Sequence, residues 1–343
     1  MAFTVNDTPA DFPDVEAPSA GETDLVLGGS TTSFPGRFVW QLARRTRFLY
    51  NLVAGDTTSQ QTFEAFKQLG VASTSQGRLT LESGVPISSS DQLGAGTLYY
   101  TPYNGDYIAL YDTAKSRWDL RQFGERSLPL SGLTANTNYD IFAFWNGSSV
   151  ELEPVAWASS GFGSSSRSIN LTQLNGVHVK NTDSRRYLGS IRTTVAGEAE
   201  DSVLKRFVWN ANNRVARKLY SLEFSVHSYA SSTFRPWDNS TTLVRVEMVV
   251  GLSNIEVLQL FSYVGFNNGD GRTAVGLNST TSGQNDTRID FSLQYAPVTG
   301  NDANVAASQT ETPQLGANYA IPLESSVGTT AFSFANINGI FLC

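Results

Sequence analysis

The sequence predicts an almost entirely β-stranded protein, with antiparallel sheets in sandwich or jelly-roll-like domains and an extended, partly helical N-terminal arm. Only 16% of its 343 residues are charged, whereas an average soluble domain has about 25%. Ser, Thr, Asn, Gln and Gly must therefore cover much of the surface, which favours sheets and tight turns over ion-paired helices. From about Arg78 onward, short apolar runs also alternate with turn residues, and no helical crossovers separate them.

Residues 1–77 are predicted to form the arm. Four prolines lie within residues 1–36 among Asp, Gly, Ser and Thr, and this density prevents a continuous helix or central strand. We expect an extended segment that becomes ordered against a partner, although the composition is equally compatible with an unattached tail. Within the arm, one short helix is predicted to follow this Pro-rich part. Residues 56–58 are its candidate N-caps, and Gly70 lies at its C′ position.

Segment 78–218 is predicted to be an antiparallel β module. Within it, Asn-Gly pairs separate apolar and aromatic runs, and this pattern is a strong short-range signal for a β-hairpin. The pairs are Asn104-Gly105, Asn146-Gly147 and Asn175-Gly176.

Segment 219–343 is predicted to be a C-terminal β-sandwich head domain. It begins with a strand in which four apolar residues share one face. The polar stretches 267–287 and 297–318 are predicted to be loops, and loops of such length are uncommon unless they are functional or stabilised by an oligomer. The apolar end of the chain, 337–342, is expected to form a buried or paired strand. The four residues of the first strand are Tyr220, Leu222, Phe224 and Val226.

Composition argues against several partners and cofactors. The net charge is −7, and the short basic cluster at 44–47 is too small for the phosphate contacts of a nucleic-acid-binding protein. The N-terminus has neither the basic region nor the apolar run of a signal peptide or membrane anchor, so no membrane insertion is expected. Cys343 is the single cysteine, and with His178 and His227 it provides no metal site. No metal and no cofactor are expected.

No catalytic residue is assigned. Nucleophilic catalysis requires a Ser or Cys beside a His and an acid. His178 lies between two valines of a strand and is expected to face solvent, and no G-x-S-x-G elbow accompanies His227. The carboxylates are scattered along the chain, so a glycosidase pair is not indicated, although their separation in space is not readable from sequence.

A binding site is more plausible than a catalytic one in the loop-like stretch 228–242. Its aromatic residues Tyr229, Phe234 and Trp237 are the candidates for contact with a glycan, because a sugar ring can stack on an exposed aromatic ring. For Trp237, a core position is an equally good prediction.

Seven runs of segment 78–218 form a dense, ordered series that carries a resemblance to a known family. They are TLYYTPY (97–103), IALYD (108–112, with Trp118 after it), YDIFAFWNG (139–147), NGVHVK (175–180), RRYLGSIRTT (185–194), KRFVWN (205–210) and NRV (213–215). Together they resemble a module of virion structural proteins of tailed bacteriophages, cyanophages among them.

This resemblance implies a carrier module in a tail-fibre, head-fibre or spike protein with a variable, outward-facing C-terminal domain. Residues 1–77 would then dock on other virion proteins, and 219–343 would contact the host surface, with a glycan as the expected receptor. The family motif brings no catalytic residues.

Further expectations concern assembly and location. A homo-oligomer, expected to be a trimer, is predicted from the long loops, the short helix and the arm. We expect a virion protein, made in the host cytoplasm and released by lysis, whose place on head or tail stays open. Two alternatives remain: a capsid-decoration or tail-adaptor protein that stabilises the particle, and a capsule-degrading spike enzyme.

Overall fold

The computed structural model describes residues 71–253, 258–267, 270–281 and 302–343. Residues Val71–Cys343 belong to one compact unit. The predicted helix and most of the predicted arm lie outside the described residues. No helix in the described part of the chain is long and apolar enough to cross a membrane.

The described residues form twenty-three β-strands and one 3-10 turn at Trp237–Asn239. The first twelve strands are β1 (Gly77–Thr80), β2 (Gln92–Ala95), β3 (Thr97–Pro102), β4 (Tyr107–Asp112), β5 (Arg117–Gln122), β6 (Arg126–Pro129), β7 (Asn138–Trp145), β8 (Val150–Ala156), β9 (Leu171–Leu174), β10 (Val177–Lys180), β11 (Arg186–Val195) and β12 (Glu198–Asp201). The others are β13 (Lys205–Arg206), β14 (Val208–Asn210), β15 (Ala216–Glu223), β16 (His227–Tyr229), β17 (Arg235–Pro236), β18 (Val246–Val250), β19 (Leu258–Asn267), β20 (Gly271–Leu277), β21 (Asp302–Glu311), β22 (Gly316–Ser326) and β23 (Thr330–Leu342).

Hydrogen bonds join these strands into sheets of thirteen, five, three and two strands. The five-stranded sheet has the order β15-β23-β19-β21, and β16 also pairs with β23. Among the described residues β13 and β18 form a parallel pair, whereas the ladders of the five-stranded sheet are antiparallel. The predicted all-β fold class with antiparallel sheets is therefore confirmed.

Two sheets pack face to face in the C-terminal half. The five-stranded sheet contributes Val264 and Phe341 to a shared core, and the thirteen-stranded sheet contributes Met248 and Val275. Side chains of a strand point alternately to its two faces, so every second residue reaches this core. Complete burial of such an apolar side chain contributes about 1.5–3 kcal/mol, and the core is therefore the main source of stability in this half.

A second core lies in the N-terminal half, where Leu79, Leu98, Ile108, Ile141 and Ile191 are packed together. The two halves nevertheless share the thirteen-stranded sheet, because β13 pairs with β18. Strand β15 also runs across the proposed division at residue 218. The division into 78–218 and 219–343 stays a prediction.

Two of the three Asn-Gly pairs connect strands that are paired with each other. Asn146-Gly147 lies between β7 and β8. Asn175 and Gly176 connect β9 to β10 and have φ values of 51° and 80°. Positive φ at both central residues is the requirement of a type I′ turn, which Asn-Gly meets at low cost.

The prediction of a hairpin at Asn104-Gly105 was wrong. Strand β3 pairs with β1 and β6, whereas β4 pairs with β5. Gln76 lies between the two predicted arms: its carbonyl accepts the N–H of Tyr103 at 2.8 Å, and its own N–H donates to Tyr107 at 3.0 Å. A third segment thus takes the backbone groups that a hairpin would have used.

The prediction of long loops at 267–287 and 297–318 was also wrong for the residues that the structure describes. Strand β20 lies inside 267–287, and β21 with the start of β22 lies inside 297–318. These strands consist largely of Ala, Gly, Ser, Thr and Asn, which give a weak apolar alternation. Small side chains such as Ala307, which is 6% exposed, still face the core. The long loops therefore no longer support the expectation of an oligomer.

Candidate functional site

Trp237 lies in the core of the C-terminal sandwich. Its side chain is 1% exposed, so neither face of the indole is open to a ligand. The indole N–H donates to the Ser225 hydroxyl at 3.1 Å. The ring meets His227 and Phe332 edge to face, at centroid distances of 4.5 and 5.8 Å. Of the two roles that the sequence left open, this position is that of a core residue.

Tyr229 and Phe234 are half-buried at the surface of the same region. The guanidinium of Arg235 lies over the Tyr229 ring, 3.8 Å from its centroid. The Tyr229 hydroxyl donates to the carbonyl of Thr233 at 2.8 Å and so closes the intervening loop. Phe234 packs against a small apolar cluster that includes residues of β22. We call the stacked pair of Tyr229 and Arg235 the platform.

A buried carboxylate holds the platform in place. Glu324 of β22 is 0% exposed and accepts a hydrogen bond from Arg235 Nε at 2.8 Å. Its other oxygen lies 2.7 Å from His227 Nε2, which donates when that nitrogen carries the proton. Arg235 and Glu324 are also register partners in the ladder between β17 and β22. A buried carboxylate is costly unless it is paired, so Glu324 holds the Arg235 side chain through the first contact and is itself oriented by the second.

The pairing of Glu324 with His227 resembles the acid–histidine part of a catalytic triad. A triad requires a hydroxyl or thiol at the second ring nitrogen. His227 Nδ1 is buried without a hydrogen bond in the structure, and the Asp238 carboxylate lies 3.7 Å from it. The nearby Ser225 hydroxyl accepts the Trp237 indole N–H. This arrangement suits a role in holding the platform rather than nucleophilic catalysis.

His178, the other histidine, lies at the surface of β10, where its Nε2 is 3.3 Å from Gln173 Nε2. Partial burial lowers its pKa, and the charge of Arg167 lowers it further. Among the residues that the structure describes, no three His, Cys, Asp or Glu side chains converge as a group that could hold a metal ion.

A second buried carboxylate, Asp140 of β7, lies deep between the halves. It accepts Arg167 Nε at 2.6 Å, Arg167 Nη2 at 3.1 Å and the Ser190 hydroxyl at 2.7 Å. Burial raises the pKa of Asp140, and the hydrogen bonds from these partners oppose that effect. Burial also raises the pKa of Tyr187, whose hydroxyl lies 2.6 Å from that of Ser190. The group is sealed from solvent, so we interpret it as structural.

The five-stranded sheet has a second surface, which we call the outer face. Its side chains alternate with the core residues along β15, β19 and β23 and point away from the sandwich core. The outer face comprises Ala216, Lys218, Tyr220, Leu222, Phe224, Gln259, Phe261, Tyr263, Phe334, Asn336, Asn338, Ile340 and Leu342.

This face is largely apolar and carries one charged side chain, that of Lys218. Phe224 is 72% exposed, Ile340 57% and Tyr263 40%. None of its thirteen residues is Asp, Glu, Arg or His. Lys218 is the register partner of Ile340, and its ammonium group lies 4.1 Å from the centroid of the Tyr220 ring.

The outer face is also internally ordered. In its centre, Asn338 Nδ2 donates to Asn336 Oδ1 at 2.6 Å, and Asn336 Nδ2 donates to the Ser221 carbonyl at 2.9 Å. Beside them the rings of Phe224 and Phe334 lie 5.9 Å apart. These contacts fix the side chains before any partner binds.

Neither Glu324 nor the outer face was found by sequence reasoning. Glu324 lies in a polar run with no motif, and its partners His227 and Arg235 are 97 and 89 residues away. The outer face did leave a signal, the shared face of Tyr220, Leu222 and Phe224, but the pattern did not indicate that this face is exposed.

No family model matches the chain, and no curated protein matches it significantly. Among solved structures it is similar to the insecticidal delta-endotoxin Cry8Ea1 from Bacillus thuringiensis, with 11% identity, a TM-score of 0.22 and coverage of 77% of this chain and 52% of that one. It is also similar to a structure of the infectious bursal disease virus Gx strain, with 11% identity, a TM-score of 0.25 and coverage of 69% and 64%. A third is BuGH86 in complex with neoagarooctaose, with 8% identity, a TM-score of 0.23 and coverage of 71% and 32%.

The chain therefore spans 52%, 64% and 32% of the lengths of these three proteins. Likenesses with such low TM-scores carry no argument about function.

Proposed function

We propose that this chain is a virion structural protein of a tailed bacteriophage, a fibre or spike component that binds a glycan on the host surface without cleaving it. The observation that supports glycan binding is the platform of Tyr229 and Arg235, which is held by the buried Glu324. The resemblance of segment 78–218 to phage virion modules supports the assignment to a particle.

The platform has the groups that recognition of a sugar requires. The C–H face of a pyranose packs on an aromatic ring, and guanidinium N–H groups donate to its hydroxyls. Arg235 uses Nε for Glu324, and 24% of its side chain is exposed. Because Glu324 and the Tyr229 ring already fix this side chain, binding would cost little conformational entropy.

The experiment is titration calorimetry of the full-length chain with soluble fragments of host-surface polysaccharide. Tyr229→Ala removes the ring, and Arg235→Lys keeps the charge beside Glu324 but loses the planar stacking group. We expect each to weaken binding about tenfold, which corresponds to about 1.4 kcal/mol. Arg121→Lys is the matched control, because Arg121 lies 4.3 Å from the Trp145 ring centroid, is 25% exposed and pairs with a carboxylate.

Absence of binding by the unchanged chain, or an equal loss in the Arg121→Lys control, would contradict the proposal. Shortening of the polysaccharide during a long incubation would instead support the alternative of a capsule-degrading spike.

A second candidate, a capsid-decoration or tail-adaptor protein, is favoured by the largely apolar outer face, because such surfaces occur where subunits meet. The two functions can be distinguished by testing phage particles that carry either of two variants of the chain. Intact particles that fail to adsorb with Tyr229→Ala support host contact. Fragile particles with Phe224→Asp support stabilisation of the particle.

A further inference from the structure

We propose that the outer face of the five-stranded sheet binds the equivalent face of a second copy of this chain. The inference does not rest on the glycan proposal, because it concerns different residues on a different surface.

The composition of the outer face is that of an interface core. Such cores are depleted in charged residues and enriched in Tyr, Phe and other large apolar side chains. Phe224 and Ile340 are more than half exposed. Water therefore contacts apolar side chains on this face of the sheet, whereas a second sheet covers those on the inner face. The central amides of Asn336 and Asn338 already bond to each other and to backbone, which lowers the cost of covering them.

Charge favours a copy of this chain at this face over other approaches. The chain has a net charge of −7, so two copies repel each other over most of their surfaces. The outer face has no acidic side chain, and its one charged residue, Lys218, is basic. Two copies can therefore approach there without bringing carboxylates together.

The size of the face is sufficient for a specific contact. Strands spaced about 4.8 Å apart, with outward residues about 6.8 Å apart along each strand, give about 33 Å² per outward residue. The outer face and the outward side of the neighbouring strand β21 together therefore cover on the order of 500 Å² per copy. Two such faces together bury about 1,000 Å², near the lower limit for a specific interface.

If two outer faces pack as the sheets of a sandwich do, the two sheets lie about 10 Å apart and their strand directions differ by no more than about 30°. A contact between equivalent faces needs no second complementary surface and closes at two copies. The inference is therefore a dimer contact rather than the threefold contact expected from the sequence.

The test is sedimentation equilibrium of the full-length chain. We expect a mass of twice 37.2 kDa for the unchanged protein. Phe224→Asp and Ile340→Lys place a charge in the contact and should shift the mass to a single chain at the same concentration. Leu93→Asp is the matched control, because Leu93 is 70% exposed and Phe224 72%, and it should leave the mass unchanged. Circular dichroism of each variant checks that it is folded.

An unchanged chain of single mass, or a Phe224→Asp variant that keeps its doubled mass, would overturn the inference. Footprinting of Phe224 and Tyr263 then identifies what covers the face instead. Protection in a single chain would indicate another segment of the same chain, and protection that appears only with polysaccharide would indicate a glycan. Tyr229→Ala should leave the mass unchanged, so failure of the glycan proposal is separable from failure of this one.

Discussion

The two faces of the five-stranded sheet are built from alternate residues of the same strands but meet different surroundings. In β23, Phe341 is 0% exposed and the preceding Ile340 is 57% exposed. Across the ladder, Leu219 is 0% exposed and Leu222 37%. Apolar character alone does not distinguish the faces. The inner face is buried because a second sheet lies opposite it, and the outer face lacks such a layer within the described residues.

This difference separates two uses of apolar residues. Burial on the inner face stabilises the single chain, because the unfolded chain exposes the same surface to water. Apolar residues on the outer face remain exposed after folding and gain little from it. Their free energy is available for association, so the same type of substitution should change stability on one face and assembly on the other.

The largest expected effect is on the free energy of unfolding when two neighbouring side chains of β23, one on each face, are truncated to Ala. Phe341→Ala should lower the free energy of unfolding by about 3–5 kcal/mol, because it leaves a cavity in a core that cannot fully collapse. Ile340→Ala should change it by less than about 0.5 kcal/mol, as for other surface substitutions. Urea unfolding of the full-length chain at concentrations where it is a single copy measures both. Similar losses for the two variants would mean that the outer face is covered within the chain.

A smaller effect is expected from two glycines, one on each face. A Cβ at Gly339 would clash with the backbone carbonyl of Gln259, whereas a Cβ at Gly265 would meet the ring of Phe334. Backbone cannot yield without breaking the ladder, so Gly339→Ala should cost about 1–3 kcal/mol, as overpacked cores do.

Gly265→Ala should cost less, because the Phe334 ring can rotate into the open space of the outer face. Its displacement should instead weaken association of two copies. Thermal unfolding and sedimentation of both variants test this contrast. A Gly265→Ala variant as destabilised as Gly339→Ala would show that Phe334 is held as rigidly as a core residue.

Much of the fold was predictable because it depends on local signals. Asn175 and Gly176 adopt the two left-handed conformations that their residue types favour, so the turn could be predicted from two residues. The apolar end of the chain was expected to be buried or paired, and β23 pairs with β15 on one side and β19 on the other.

The remaining features depend on contacts between distant residues. Successive residues of β15 point to opposite faces of the sheet, and the face with more apolar residues, including Tyr220 and Leu222, points outward. The polar Arg217 and Ser221 share the inner face with Leu219. The usual inference from alternation, that the apolar side faces the core, would therefore place this strand the wrong way round. The candidate site has the same origin, because Glu324 meets its partners only through the pairing of β17 with β22 and the packing of the two sheets.

The last expected effect appears only at alkaline pH and concerns Cys343, the last residue of the inner face, which is 2% exposed. Burial raises the pKa of its thiol from 9.0 to about 12. In the unfolded chain the thiol ionises at its ordinary pKa, so between these two values the folded state binds more protons than the unfolded state. The contribution to stability is therefore fully present below pH 9 and is lost as the pH rises towards 12.

The free energy of unfolding should fall by about 1.4 kcal/mol per pH unit from this group within that window. The measurement is the difference between the unchanged chain and Cys343→Ala at each pH, because all other titrating groups are common to both. An Ile340→Cys change in the Cys343→Ala background provides the matched thiol on the outer face, and it should add no such slope while the chain is a single copy. Equal pH dependence of the two thiols would mean that both faces of the sheet exclude water to the same extent.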